Sequence, residues 1–421
     1  MARAGSPKGR RLHARAVARR EAASQAVPDS CGVCVVGAGA SGLCAALAAA
    51  REGAGAASVV CLEAGPRAGA PILATGNGRC NLSNADLSPE RYNDPALAGA
   101  AMGPTPESDV LDLFGALGLA WDDEEGRIYP RSRAAGSVRS VLLQAVAASG
   151  AVVGTMRPVT AVEAADGGFR VGYEERFRED GGTGGWRRRT LFCRRLVWAA
   201  GGGSQDALRP LGVDVTPTSP VLCPVAVAPS FADALGGRRA RGAVRLLRGG
   251  SPVWEGRGEV LFRSGALSGI VSLDLSRHAV PGDAVEVDLA PEASLDDVAS
   301  LVGPRFRPHG ADGLIDPAVA EVLAREASGS HDPAEAMASL VKALPFSVTG
   351  LAHPETAQVT RGGVAASAVD GSTLAVPSVP GLSVCGEALD VDGPCGGYNL
   401  AFAWLSGLRA GRCALSSLLL P

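Results

Sequence analysis

The strongest constraint on this chain is a run of twenty uncharged residues, 31–50, interrupted by Gly32, Gly37, Gly39 and Gly42. Length alone would nominate a membrane span, but the glycines and the flanking pattern argue otherwise. Val33-Cys34-Val35-Val36 is an apolar run of strand length, followed by Gly37-Ala38-Gly39-Ala40-Ser41-Gly42. An alanine-rich stretch from Leu43 to Arg51 suits a helix, and a second apolar run, Val59–Leu62, ends in Glu63. Gly37 permits a tight strand-to-helix turn, Gly39 lets a pyrophosphate approach the backbone, and Gly42 lets the helix pack on the strand. The helix N-terminus offers free N–H groups and a favourable dipole to phosphates. Glu63 is placed to accept hydrogen bonds from ribose hydroxyls. Strand, turn, helix, strand and acid in register specify a dinucleotide site rather than a chance glycine turn.

Bulk properties narrow the rest. A chain of 421 residues calls for two or three domains. Forty basic against 43 acidic residues, a net charge of −3, argue against nucleic acid or an anionic membrane as main partner. The partner expected is a small-molecule substrate, with the oligomeric state left open. The ten cysteines sit largely in apolar runs and do not suggest a disulfide framework. Cys31 and Cys34 have C-x-x-C spacing, yet in a strand they point to opposite faces. None of the five histidines has a partner at metal spacing, so no metal site is expected. Residues 1–30 start with seven basic residues before the first acid, Glu21, and read as a basic, disordered arm rather than a transit peptide. With no convincing transmembrane segment, a cytoplasmic protein is expected.

Along the chain, helical patterns fall at 107–118 and 134–149. A strand pair, 151–163 and 169–175, flanks the Asp166-Gly167-Gly168 turn. Residues 179–190 are charged and glycine-rich and read as an exposed loop. Leu191–Ala200 is a buried strand ending in glycines. From 204 to 345 short β-like runs (Val221–Val227, Val244–Leu247, Val285–Leu289) precede a helical stretch at 315–344. The expectation is an α/β chain: a Rossmann-like domain from 31–203 and 346–421, with a mostly-β domain carrying a helical portion inserted at 204–345.

Three further segments carry chemistry. Ala74–Asn84, A-T-G-N-G-R-C-N-L-S-N, brings glycine backbone and the amides of Asn77, Asn81 and Asn84 to a planar ligand. Val197-Trp198-Ala199-Ala200-Gly201-Gly202 is a strand running into a small-residue turn. Gly381–Glu387 is another strand and turn, followed by Asp390, Asp392 and Gly393. Gly396-Gly397-Tyr398-Asn399 then opens a helix whose N-terminus suits the N1–C2=O edge of a flavin, and Asn399 is placed to cap it.

Together with Gly126–Ser132 (G-R-I-Y-P-R-S) and Ala357–Val364 (A-Q-V-T-R-G-G-V), these motifs resemble the BaiN-like flavoproteins, also described as NAD(P)/FAD-dependent or aminoacetone oxidase family oxidoreductases. The resemblance runs from about residue 32 to 415. It implies an FAD domain built from both ends of the chain. Gly37, Gly39, Ala40, Ser41, Gly42, Glu63 and Ala64 would hold the ADP moiety, with Val159 on the adenine side. Asn77, Gly78, Arg79, Cys80 and Asn81 would lie along the flavin. Gly386, Glu387, Asp390, Gly397, Asn399 and Leu400 would complete the isoalloxazine pocket, and Ala200, Gly201 and Gly396 would also bind the cofactor. The chain departs from the family in lacking lysines before the second motif, where it has Gly69-Ala70-Pro71, and in the shortened segment Ser204–Val213. Both departures bear on the substrate more than on FAD.

No catalytic residue is assigned. Arg79, Tyr129 and Arg131 are candidate substrate-facing groups, since a guanidinium suits carboxylate or phosphate. The activity implied is an FAD-dependent oxidoreductase, first a reductase of a small unsaturated or ketonic molecule, with NAD(P)H docking transiently because only one G-x-G-x-x-G is present. The alternatives are an amine or amino-ketone oxidase, and a non-catalytic flavin-binding accessory protein. The last would need a basic face on the inserted domain, for which Arg238, Arg239, Arg241, Arg245 and Arg248 are the candidates.

Overall fold

The computed structural model describes residues 26–53, 58–178, 184–228, 231–302 and 311–419. Most of the basic arm expected at 1–30 lies outside the described residues. The chain divides into two compact units. One runs to Ser219 and resumes at Thr360; the other is Pro220–Val359.

The first unit opens with β1 (Ser30–Val36), α1 (Ala40–Gly53) and β2 (Val59–Leu62). β1 and β2 are parallel, with Val33 opposite Val59 and Val36 opposite Leu62. After β3 (Ser83–Asn84) come α2 (Pro95–Met102), α3 (Pro106–Ala116), the hairpin β4 (Trp121–Glu124) and β5 (Arg127–Pro130), and α4 (Ala135–Ala148). Then β6 (Val152–Gly154), β7 (Val159–Ala165), β8 (Gly168–Arg178), β9 (Gly184–Trp198) and β10 (Val215–Val221) lead out of the unit. The main sheet has the order β6-β2-β1-β9-β8-β7. Its parallel centre is built from strands such as Val33–Val36 and Val59–Leu62, whose side chains are buried throughout because both sheet faces are covered.

The charged residues 184–190, expected as a loop, instead form the first half of β9. They pair antiparallel with β8, placing Glu174 opposite Arg188 and Glu175 opposite Arg187. Opposite charges facing across a ladder make a charged sequence compatible with a strand.

In the second unit, β11 (Val225–Val227), β12 (Arg239–Arg248), β13 (Ser251–Arg263), β14 (Ala266–Ser268), β15 (Ala284–Asp288) and β16 (Leu344–Leu351) close into a barrel of order β11-β14-β13-β12-β15-β16. Besides the short turn of helix Phe231–Ala234, its described helices are α5 (Ile270–Leu275), α6 (Leu295–Val302), α7 (Pro317–Ala327) and α8 (Pro333–Lys342). α7 and α8 each begin with a proline behind an aspartate cap, Asp316 and Asp332, whose carboxylates accept from first-turn N–H groups. Their apolar faces (Val319, Leu323, Met337, Val341) join Val244, Leu246, Phe262 and Val285 in one core.

The chain returns through β17 (Val359–Val364), then β18 (Leu382–Val384), which joins β9 in parallel at Leu196–Trp198, and ends in α9 (Tyr398–Leu419). The observed junctions, 219/220 and 359/360, lie beyond the expected 203/204 and 345/346. The cause is β16. Phe346, read as the return of the α/β texture, is a barrel residue packed on Phe262 with ring centroids 6.0 Å apart. α9 lies directly on α1. A Cβ on Gly407 would fall 2.3 Å from the Ser41 carbonyl oxygen, and one on Gly411 2.2 Å from that of Ala45, so the two helices touch backbone to backbone. Among the described residues no helix is long and apolar enough to cross a membrane.

Candidate functional site

The β1–α1 turn separates the roles of its three glycines. A Cβ on Gly37 (φ +96°) would lie 2.4 Å from the Ala199 carbonyl oxygen, and one on Gly42 1.8 Å from that of Gly37. Both are required by the fold itself. A Cβ on Gly39 would meet nothing within 4 Å, so this residue leaves clear space before the first turn of α1. Ala40 and the buried Ser41 begin the helix. That open approach to unpaired helix N–H groups fits a pyrophosphate.

Glu63 clamps the same turn. Its Oε2 accepts from the Ala38 N–H at 2.8 Å and its Oε1 from the Gly65 N–H at 2.7 Å. A carboxylate accepts about four hydrogen bonds, so capacity for ribose hydroxyls remains. Ala64 beside it is exposed. Residues 154–157 run alongside: the Glu63 N–H donates to Gly154 O at 2.8 Å, Met156 N–H to Gly65 O at 2.9 Å, and Arg157 N–H to Glu63 O at 2.8 Å. Val159 follows at the start of β7. The buried Arg157 is held by Glu175 Oε1 at 2.7 Å. Burial acts to raise the Glu175 carboxyl, but Arg187, Arg157 and Arg189 together hold it below the usual carboxylate range.

The Ala74–Asn84 loop is unusual in its backbone. Gly76, Asn77, Gly78 and Cys80 all have left-handed φ values, +56°, +55°, +84° and +60°. Two of these are not glycine, a strained arrangement that persists only where surroundings enforce it. The Cys80 N–H donates to Thr75 O at 3.0 Å. Burial pushes the Cys80 thiol up to about 11, against a bond from Thr75 that lowers it. Asn77, Gly78 and Arg79 are exposed.

This loop is joined to the start of α9. With its amide oriented to suit its neighbours, Asn81 donates to Ser83 O at 3.0 Å and Ile128 O at 3.3 Å, and accepts from the Gly397 N–H at 3.3 Å. Asn84 Nδ2 donates to Gly396 O at 2.8 Å, and Trp404 Nε1 to Leu82 O at 3.0 Å. Gly397 has φ +102°, and a Cβ there would be 2.3 Å from Ser83 O. Gly386 touches α1, since a Cβ would meet Ser41 Oγ at 2.3 Å, and its N–H donates to Ser406 Oγ at 3.0 Å. Glu387 Oε1 accepts from the Thr360 N–H at 2.8 Å. Burial raises the Glu387 carboxyl while the Thr360 bonds oppose it. The Ala200–Gly202 turn reaches the same place: a Cβ on Gly202 would lie 2.7 Å from Glu387 Oε1.

The geometry described has counterparts. The HI0933-like protein Rossmann domain matches residues 31–413. The chain belongs to the HI0933-like Rossmann family. It is 31% identical to a 3-dehydro-bile acid Δ(4,6)-reductase of Clostridium scindens over 90% of this chain and 98% of that one. It is 26% identical to a ribosomal RNA dihydrouridine synthase of Haemophilus influenzae over 91% of this chain and 97% of that one. Among solved structures, the open conformation of a flavocytochrome c3 fumarate reductase superposes with a TM-score of 0.50 at 16% identity, over 99% of this chain and 82% of that one, a likeness of fold. Membership of this family, with a glycine turn that fits a pyrophosphate, makes the chain an FAD-dependent oxidoreductase.

Within this HI0933-like chain, several expected roles move. Asn399 does not cap α9; its amide clasps Gly393, accepting from the N–H at 2.8 Å and donating to the carbonyl at 2.9 Å. Asp390 is committed to the chain, accepting from the Gly362 N–H at 3.0 Å and the Thr216 hydroxyl at 2.7 Å. Leu400 is half-buried on the first turn of α9. Arg131 is an exposed surface arginine bonded to Asp122 at 3.0 Å. Tyr129 is buried, with the Arg79 guanidinium 4.9 Å and that of Arg133 5.4 Å from its ring centroid. In the second unit Arg239, Arg245 and Arg248 pair with Glu259, Glu286 and Asp283 at 2.5, 3.0 and 2.9 Å, which neutralises most of the anticipated basic face. All ten cysteines are free thiols, and among the described residues no cluster is arranged to hold a metal. Sequence reasoning named Asp392 but missed that it is buried and held by Arg361 through bonds of 2.7 and 2.9 Å. It also missed Arg127, beside Gly396, although the Arg127/Tyr129 alternation within G-R-I-Y-P was a readable signal.

Proposed function

We propose that this protein is a flavin reductase that saturates an electron-poor carbon–carbon double bond in a small molecule, drawing electrons from transiently bound NAD(P)H. The observation that carries it is the union of Asn81 and Asn84 with Gly397 and Gly396, which fixes a polar platform at the N-terminus of α9. The names of both kinds of relative describe saturation of such a bond, in a bile acid or in uridine.

In this reading Gly37, Gly39, Ala40, Ser41 and Gly42 hold the pyrophosphate of FAD, and Glu63, Ala64 and Val159 the adenosine. Asn77 to Asn81, Ala200, Gly201, Gly386, Glu387 and Gly396 to Leu400 surround the flavin. Asp390 contributes by holding β17 and not by ligation. When bound, FAD supplies hydride acceptance and delivery. The first-turn N–H groups of α9 present a positive dipole end, which favours negative charge developing beside it. Burial favours the protonated form of the Cys80 thiol. Ten free thiols suit a reducing cytoplasm.

The test is the visible spectrum of the purified protein under anaerobic NADH or NADPH, followed by acceptor. The expected result is a yellow protein that bleaches, then regains its colour stoichiometrically with a conjugated enone. A protein that neither carries nor takes up FAD overturns the reading. Recovery of colour with uridine-containing RNA and not with the enone selects RNA as the substrate, the second reading that the synthase relatives favour. The paired arginines of β12 weigh against it.

A further inference from the structure

Strand β5 presents Arg127 and Tyr129 on one face, about 6.6 Å apart along the strand. Ile128 points the other way, and its carbonyl accepts from the Leu82 N–H at 2.7 Å. Arg127 is paired in register with Asn84, and its Nε lies 3.8 Å from where a Gly396 Cβ would sit. It is therefore next to the platform formed by the two flavin-loop motifs. The Tyr129 ring carries the guanidinium of Arg79 at 4.9 Å, a cation–π contact that fixes an otherwise exposed side chain.

The carboxylates around this face are already spent. Asp122 bonds Arg131 at 3.0 Å and Arg133 at 3.6 Å, and Glu124, directly across from Arg127, bonds Arg133 at 3.0 Å. Among the described residues neither Arg127 nor Arg79 has a carboxylate partner. Arg127 is half-buried, and its guanidinium makes no hydrogen bond within the described chain. A guanidinium without an acidic partner is available to an anion, and its planar fork matches carboxylate and phosphate oxygens.

We infer that Arg127, assisted by Arg79, receives an oxyanion carried by the substrate, a carboxylate or phosphate group. This assignment rests on the reductase reading above and makes the substrate an anionic molecule. The bond to be reduced would lie on the flavin side of the platform, with the anionic group on the β5 side.

The test uses the holoenzyme and an enone acceptor in two forms, free carboxylate and methyl ester. In Arg127→Gln the KM for the carboxylate rises tenfold or more, while the ester KM and both kcat values stay within about twofold. Arg131→Gln, which removes the same charge from the surface pair with Asp122, changes neither. Inorganic phosphate and acetate as competitive inhibitors of ester reduction distinguish a phosphate from a carboxylate preference. An unchanged carboxylate-to-ester ratio in Arg127→Gln overturns the anion assignment and leaves the reductase reading standing. Should the wild-type protein reduce neither acceptor, the small-molecule reductase reading falls. Titrating the flavin band with phosphate and acetate in wild type against Arg127→Gln then still decides the anion site. A saturable response weakened tenfold or more supports it, and the absence of any difference overturns it.

Discussion

Gly39 and Gly42 belong to one motif, yet their surroundings predict opposite responses to the same methyl group. At Gly39 a Cβ meets nothing within 4 Å, and the backbone is outside the left-handed region. Gly39→Ala should therefore stabilise the FAD-free protein by about 0.4–1 kcal/mol through reduced unfolded-chain entropy. The methyl would stand where a phosphate oxygen must come within about 3 Å of backbone N–H groups. Losing one charge-assisted hydrogen bond costs about 1.5–3 kcal/mol, or roughly 10- to 150-fold in FAD affinity. At saturating FAD a hundredfold loss removes about 2.7 kcal/mol of ligand-linked stability. Gly42→Ala would instead place a carbon 1.8 Å from Gly37 O, backbone against backbone, and should destabilise the FAD-free protein by about 1–3 kcal/mol or more. The assay is thermal unfolding of both variants with and without FAD, together with fluorescence titration of the flavin. The reasoning fails if Gly39→Ala binds FAD as tightly as wild type, or if Gly42→Ala is as stable as wild type without FAD.

Other substitutions probe the supports of the site. Arg361→Ala removes the 2.7 and 2.9 Å bonds to the buried Asp392 carboxylate and should cost about 1.5–3 kcal/mol in urea unfolding; an unchanged midpoint would count against the pair's contribution. Asn84→Ala breaks the bonds to Gly396 O and the Asp86 N–H, at 2.8 and 3.0 Å, and should cost about 1–2 kcal/mol while raising the FAD dissociation constant several-fold by fluorescence. The Cys80 thiol has a folded value near 11 against an ordinary 9.0. Its contribution to stability is whole below pH 9 and is lost as pH rises towards 11, at up to about 1.4 kcal/mol per pH unit. Cys80→Ala should show a correspondingly shallower alkaline loss in denaturant titrations, superimposed on that from other buried thiols such as Cys385.

What the sequence revealed follows from how local each feature is. The glycine turn and Glu63 were legible because strand, turn, helix and acid fall within about thirty residues, and each glycine has its own steric reason. The Ala74–Asn84 and Gly386–Leu400 motifs were visible as separate texts. Their junction through Asn81–Gly397 and Asn84–Gly396 was not, because no local pattern encodes a contact between distant segments. Leu344, Phe346 and Val348 alternate as any half-buried strand does, so nothing in that pattern distinguishes a barrel strand from one in an α/β sheet. Residues 184–190 looked like a loop because their charges were counted alone, without the glutamates that face them. Asn399 has the right type and place for a cap, but competing carbonyl and N–H partners at Gly393 claimed its amide.

The backbone contact between α1 and α9 also bears on the order of assembly. Ser41 and Ala45 meet Gly407 and Gly411, so the surface that closes over the phosphate helix is separated from it by roughly 360 residues of chain. At a synthesis rate of about 5–20 residues per second, the nascent helix waits for tens of seconds before its covering partner leaves the ribosome. During that interval an alanine-rich, almost uncharged helix has an uncovered flank. Early folding of this protein is thus a problem of keeping one helix flank from the wrong neighbours until the right one has been made.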